Sequence, residues 1–370
     1  MKNKKSGDRT SLVSIMKSTY RSIDIPAVLD PLGGIGRFVK SGDQVLLKMN
    51  LLSAREPQEA VTTHPEFVRA IVSEVKKAGG IPYIGDSPAG VFSRRKLSNA
   101  YSRTGIEKMA KEEGIPLNYD TGSKKINLKE GKKLKRAPIC NYALKADKII
   151  GIPKLKTHSL QYLTLACKNM YGVVPGLVKA KYHALFPGRA GFGDMLLDLC
   201  VHIKPHLFIM DGILGLHGQG PAGDGDPIEM GMVLASKDPV ALDIAVCRLI
   251  DVEPVGIPLL KRAKLRGIWP DRIDYPLLKP ENNIIKGFKL PNTASHLQGG
   301  KKGRVKNPVI TGKCEGCGEC ENICPKEAIK MVDDLAQVDY SICIRCYCCH
   351  EVCPFNAIKV RTLKKSERGR

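Results

Sequence analysis

Short apolar runs alternate with stretches of helical period along the first 250 residues. Residues 44–49 (Gln-Val-Leu-Leu-Lys-Met), 81–85, 148–152, 207–211 and 230–235 read as strands, because brief continuous apolar runs suit a sheet buried on both faces. Residues 65–77 instead place Phe67, Val68, Ile71, Val72 and Val75 on one helical face. Pro65 suits a first turn, and Gly79-Gly80 ends it. Further helices are predicted over 103–113, over 160–167, and from Asp238-Pro239 to about residue 250, with Asp238 as the cap. The alternation predicts an α/β fold, a layered mixed or mostly parallel sheet flanked by helices. Residues 215–225 read as a glycine-rich loop.

Polar residues gather where the predicted strands end, the usual place for a ligand in an open α/β sheet. Asp86-Ser87 follows one strand, Lys154-Leu155-Lys156-Thr157-His158 another, and Asp211-Gly212 a third. Lys168-Asn169 closes the predicted 160–167 helix, and His217, Gln219, Asp224 and Asp226 fall in or just after the 215–225 loop. Lys154, Lys156, His158 and Lys168 are suited to hold a phosphate or carboxylate. Asp86 and Asp211 can balance them or hold a divalent ion. Lys156, His158, Lys168, Asp86 and Asp211 are therefore the candidate catalytic residues, and His158 has the ordinary pKa that allows proton exchange near neutrality. Each of them taken singly is equally an exposed or structural polar residue.

Other signals are thin. Gly33-Gly34-Ile35-Gly36 follows Pro31-Leu32, a poor strand for a dinucleotide loop, and no Walker loop or Ser-His-Asp arrangement can be assigned. Aromatics make up 5% of the residues, which is little for a base-stacking platform.

Length and charge set the frame. The 370 residues, 43% hydrophobic, suffice for one sizeable core and a satellite. The expected division is an α/β unit over 1–300, a small unit over 301–362 and a basic tail over 363–370, the stretch from Lys364 onward being disordered. No apolar run approaches the ~18–20 residues of a membrane helix, and no apolar segment follows the basic start Met1 to Lys5. A cytoplasmic setting is expected. The formal net charge of +22 suits an anionic partner: an acidic electron carrier, a small anionic metabolite, an anionic membrane surface or nucleic acid.

The cysteines change the picture most. Of the 13, nine lie between Cys314 and Cys353, whereas Cys140, Cys167, Cys200 and Cys247 are scattered among apolar residues and read as buried small hydrophobes. Cys314-x-x-Cys317-x-x-Cys320-x-x-x-Cys324-Pro325 is repeated as Cys343-x-x-Cys346-x-x-Cys349-x-x-x-Cys353-Pro354, and Ala328-Ile329-Lys330 answers Ala357-Ile358-Lys359. In two-cluster ferredoxins the fourth cysteine of such a run serves the other cluster. Two [4Fe–4S] clusters are thus expected, one on Cys314, Cys317, Cys320 and Cys353, the other on Cys343, Cys346, Cys349 and Cys324. Zinc, which also takes four thiolates, is the nearest competitor. Hairpin strands are expected near 329–332 and 358–360, with helical turns between the third and fourth cysteines. Cys348 is a spare ligand, a reactive thiol or incidental.

The long segment from about Gln44 to Leu249 resembles the DUF362 family, which is often fused to a bacterial-type two-cluster ferredoxin domain. Thr63-His64-Pro65, Gly85-Asp86-Ser87-Pro88, Pro153-Lys154-Leu155-Lys156-Thr157-His158, Lys168-Asn169-Met170-Tyr171-Gly172, Asp211-Gly212-Ile213 and Lys237-Asp238-Pro239 carry the resemblance. His217 stands where the family often has glutamate, and Ala89 interrupts its usual Ser-Pro-Gly. The family is remotely similar to the N-terminal domain of lactate racemase, which implies an α/β sheet with a ligand pocket but no reaction.

Together these features describe a redox protein whose ferredoxin-like α+β module takes electrons from a soluble carrier and passes them to a substrate, metal or cofactor in the α/β pocket. As an enzyme it is an iron–sulfur oxidoreductase; no flavin or pterin site is recognisable. The rival is a non-catalytic iron–sulfur adaptor or sensor that binds a metabolite, a protein or nucleic acid through its basic surface.

Overall fold

The central sheet of the computed structural model, which describes residues 9–222, 224–300 and 303–367, has the strand order Ser14–Lys17, Gly225–Ser236, Leu207–Gly218, Lys148–Ile152, Gln44–Met49, Ile81–Ile84. The last four run parallel. Leu207–Gly218 and Gly225–Ser236 form a long antiparallel hairpin, with Ser14–Lys17 antiparallel along its outer edge. Lys154–His158 continues from Lys148–Ile152, pairs parallel with the far half of Leu207–Gly218, and folds back antiparallel as Tyr162–Thr164.

Strand alternation sorts the apolar residues onto two faces. Leu46, Phe208 and Leu234 enter one core with Leu196 and Ile244 from the helices Gly188–Ile203 and Pro239–Leu249. Val45, Leu47, Ile209 and Val233 enter the other, beneath Phe67, Ile71 and Val75 of the helix Pro65–Lys77. That helix has its predicted bounds. His64 caps it, its Nδ1 accepting from Glu66 N–H, and Gly79 leaves it at a φ of +77°. Asp238 caps its helix as expected, accepting from Val240 N–H and Ala241 N–H.

Four expectations are corrected. Both ends of the 215–225 segment are strand: the hairpin extends to Gly218 and resumes at Gly225, because Gly215 and Gly225 let the two strands approach without side-chain overlap. The predicted 160–167 helix is a strand, Tyr162–Thr164, followed by one turn at Ala166–Asn169. Pairing with Lys154–His158 overrides its helical period, and Lys154–His158 is itself a strand rather than a post-strand loop. The 103–113 segment divides at Thr104-Gly105 into the last residue of Arg94–Arg103 and the whole of Ile106–Glu112, with Gly105 left-handed.

In the cysteine-rich segment, Asn307–Ile310 pairs antiparallel with Ile358–Arg361, and Ile329–Val332 forms a hairpin with Leu335–Val338. Helical turns at Glu319–Ile323 and Cys348–Val352 bridge the third and fourth cysteines of each run. The repeat extends to the backbone: Gly316 and Arg345, Gly318 and Tyr347, and Glu327 and Asn356 share left-handed conformations at matching positions. At the start of the basic tail Lys365–Glu367 forms a single helical turn, and the Glu367 carboxylate accepts from Arg361 at 2.7 and 2.9 Å. Residues 368–370, like the basic start Met1 to Lys5, lie outside the described residues. Among the described residues no helix is long and apolar enough to cross a membrane.

Candidate functional site

The eight motif thiols divide between two cavities. Cys314, Cys317, Cys320 and Cys353 line one, with Ile310, Met331, Ala336 and Phe355 among its apolar walls. Cys324, Cys343, Cys346 and Cys349 line the other. The fourth cysteine of each run thus joins the first three of its counterpart. Ala328 N–H donates to Cys324 Sγ at 3.1 Å and Ala357 N–H to Cys353 Sγ at 3.3 Å, so each crossing sulfur receives a backbone donor. Four thiols around an apolar cavity fit a [4Fe–4S] cubane, whose chemistry is one-electron transfer. The scattered Cys140, Cys167, Cys200 and Cys247 are buried.

A third cavity, of about 80 Å³, lies between the α/β sheet and the second cysteine run. Lys48, Asn50, Asp86, Ser87, Lys168 and Lys179 line it from the sheet side, while Cys348, Glu351 and Val352 line it from the helical turn Cys348–Val352. Cys348 also lines the cavity of Cys324, Cys343, Cys346 and Cys349, so one buried residue separates the two spaces.

Of the candidate residues, only Asp86 and Lys168 line this cavity; Lys154, Lys156, His158 and Asp211 do not. Lys48 Nζ lies 3.0 Å from Asp86 Oδ1, and Asp86 also accepts from Leu51 N–H and Ser87 N–H at 2.7 Å. Gly172 sits against this pair, where a Cβ would overlap both charged groups. A second pair is sealed: Lys154 Nζ donates to Asp211 Oδ2 at 2.8 Å, and Tyr20 Oη donates to Asp211 Oδ1 at 2.9 Å. Both carboxylates are held this way by separate lysines, the charge-balancing role of the two expected for Asp86 and Asp211.

Lys156 donates to Val61 O at 2.6 Å, and burial together with Lys168 pushes its pKa well down. His158 accepts at Nδ1 from Leu160 N–H and Gln161 N–H at 3.1 Å, and its Nε2 lies 2.8 Å from Glu351 Oε1. Burial, then Lys168, lowers its pKa to about 4 despite Glu351. The expectation that His158 exchanges protons near neutrality is therefore corrected. Half-buried Lys168 differs from the buried Lys48, Lys154 and Lys156: among the described residues its ammonium has no hydrogen-bond or ion-pair partner. Burial lowers its pKa while Glu351 opposes the shift.

Sequence reasoning missed Lys48, Lys179, His183 and Glu351. A lysine inside the apolar run Val-Leu-Leu-Lys-Met was the available signal for Lys48, since a buried charge needs a partner. Nothing local marks Lys179 and His183 on the helix Gly176–Leu185, or Glu351 among the cysteines. Asp224, His217 and Gln219 serve elsewhere. Asp224 contacts Lys359 and lies 3.7 Å from His350, while His217 and Gln219 accept from Lys289 N–H and Asn292 N–H.

Fold and thiol geometry define an iron–sulfur protein, an α/β sheet joined to a dicluster module. The family model "4Fe-4S dicluster domain" matches residues 313–358. The chain belongs to the family described as "Domain of unknown function (DUF362)", whose model matches residues 45–248. It is 36% identical over 273 residues to the thylakoid-associated protein sll1697 of Synechocystis sp., covering 71% of this chain and 81% of that one. Among solved structures, the lactate racemase apoprotein of Thermoanaerobacterium thermosaccharolyticum is similar at 11% identity and a TM-score of 0.38, over 62% of this chain and 54% of that one. A protein of Thermotoga maritima is similar at 11% identity and a TM-score of 0.34, over 69% and 61%. This chain thus spans little more than half of the racemase's length. At these scores the fold rests on the chain's own strand order.

Proposed function

We propose that the protein takes electrons from a soluble carrier through two [4Fe–4S] clusters, ligated in the crossed pattern, and delivers them to a small anionic substrate, or to a metal or cofactor, in the cavity beside Cys348. In this reading residues 1–300 form the substrate unit, 301–362 the electron module and 363–370 a basic tail. Lys168 receives the substrate's negative charge, with Lys48 and Lys179 adding to the positive field. Asp86 fixes Lys48, while Lys156 and His158 support the wall from behind. One observation carries the reading: a single cavity is lined both by unpaired Lys168 and by Cys348, which also faces a four-thiol cavity. Two one-electron centres allow two electrons to be held before a two-electron reduction. The setting is the cytoplasm, and contact with an anionic membrane face is compatible with so basic a surface; the relative's name records thylakoid association for that protein.

The test is anaerobic: reduce the reconstituted protein, add a panel of oxidised small carboxylates and phosphate esters, and follow reoxidation by visible absorbance. At least one compound should reoxidise the wild type, and Lys168→Ala should slow it while leaving the cluster spectrum intact. Reoxidation by none of them, or equal rates in the variant, overturns the reading.

A second reading is favoured by the contacts His158–Glu351, Asp224–Lys359 and Lys96–Glu319, which tie the module to the sheet. A non-catalytic sensor would use such ties to transmit cluster state. Ligand binding that changes with reduction, without turnover, would support it.

A further inference from the structure

A wide groove opens on a side of the second cysteine run that shares no lining residue with the substrate cavity. Its lining includes Arg189, His296, Arg304, Lys306 and Arg345, and no carboxylate among the described residues. Ile344, Arg345 and Tyr347 also line it, so one wall is the loop that carries Cys343 and Cys346. Arg345 is fastened to that loop: Nε donates to Asn307 Oδ1 at 3.0 Å and Nη1 to Cys343 O at 3.2 Å. Tyr347 Oη donates to Lys306 O at 3.0 Å, which anchors the opposite wall. Val305, 60% exposed, and Ile344 add apolar surface to the lining beside these cations.

We infer that this groove is the docking surface for an acidic one-electron carrier protein, and that electrons enter the module here at the cluster cavity of Cys343, Cys346 and Cys349. Charge complementarity selects the occupant. Cations without carboxylates attract an acidic face and speed encounter, while the apolar residues beside them supply the desolvated contact that a protein partner uses and a nucleic-acid backbone does not. The approach runs through Arg345, which lines the groove and donates to a ligand residue's carbonyl. The carrier loses one electron per encounter and one cluster gains it; no bond is made or broken. The substrate cavity meets the same cysteine run through Cys348, so intake and delivery use separate surfaces of one cluster, leaving the other as a store. This inference rests on the electron-transfer reading above.

The test uses the full chain, reconstituted anaerobically, with a small acidic [2Fe–2S] ferredoxin as the probe. Arg304→Glu with Lys306→Glu is compared with Lys124→Glu with Lys125→Glu, an equal charge reversal on the exposed strand Ser123–Asn127. Both ferredoxin binding, by calorimetry, and the rate of cluster reduction are measured. A neutral viologen serves as reference reductant. The groove variant should lose about tenfold in affinity and rate, the control variant should change little, and viologen reduction should be equal in all. Equal losses in both variants, or no ferredoxin binding by the wild type while a DNA duplex binds through the groove, overturn the inference. Groove-dependent binding without electron transfer keeps the docking surface and sinks the electron-transfer reading instead.

Discussion

His158 Nε2 lies 2.8 Å from Glu351 Oε1, joining a strand of the sheet to the turn between Cys349 and Cys353. Both residues are largely buried, and the imidazole's other nitrogen accepts from two backbone amides. A neutral histidine is thus fixed against the carboxylate, and the contact helps position the module that walls the cavity beside Cys348. Glu351→Ala should destabilise the protein by about 1–3 kcal/mol, the cost of an orphaned buried polar group. Faster amide exchange should appear in both partner segments, His158 and the 348–352 turn. Unchanged exchange in either would remove its positioning role.

Lys154 and Asp211 are both fully buried, and each needs the other. Asp211→Ala should cost about 3–5 kcal/mol by leaving an unpaired charge. Lys154→Met combined with Asp211→Ala should recover part of that loss. Denaturant titration of the three variants measures the coupling; simple additivity would mean the pair contributes no specific stabilisation.

Crossed ligation makes a distinct spectral prediction. Cys324→Ser should alter the cluster of Cys343, Cys346 and Cys349, although Cys324 belongs to the other run, and Cys353→Ser should do the converse. Electron paramagnetic resonance on the reduced variants separates the two signals. Each variant perturbing the cluster of its own run would contradict the shared cavities.

Lys179 gives the cavity a pH response. Burial lowers its pKa to about 8, with Asp86 and Cys140 opposing. It is cationic at pH 7 and loses its charge as pH rises through 8. Affinity for sulfate, whose own charge is constant there, should fall roughly tenfold between pH 7 and 9, and Lys179→Met should flatten the profile. For folding the sign differs: the depressed pKa costs stability below pH 8, and that cost is relieved as pH rises toward 10.5. Calorimetric titration checks the binding, and denaturation at pH 7 and 9 checks the folding.

Iron supplies what the small module lacks. Its core is little more than Ile329, Ala336, Ala357 and Ile358 with the cysteines, so anaerobic removal of iron should expose residues 313–361 to proteolysis while the sheet stays protected. Equal protection of apo and loaded protein would show that the module folds without metal.

The sequence by itself determined the duplicated thiols, the Pro65–Lys77 helix, the Asp238 cap and the α/β alternation, because each depends on spacing within one short segment. It also singled out Asp86, which follows the strand Ile81–Ile84, and Lys168, in the turn Ala166–Asn169, and both line the cavity beside Cys348. Tertiary structure alone decided the rest. Lys154 and Asp211 neutralise each other across strands, and cross-strand pairing turned the helical period of 160–167 into an edge strand. Glu351, invisible among cysteines, meets His158 from nearly two hundred residues away. Ionisation and burial are long-range properties, set by which distant charges share a low-dielectric space, and local spacing carries no record of them.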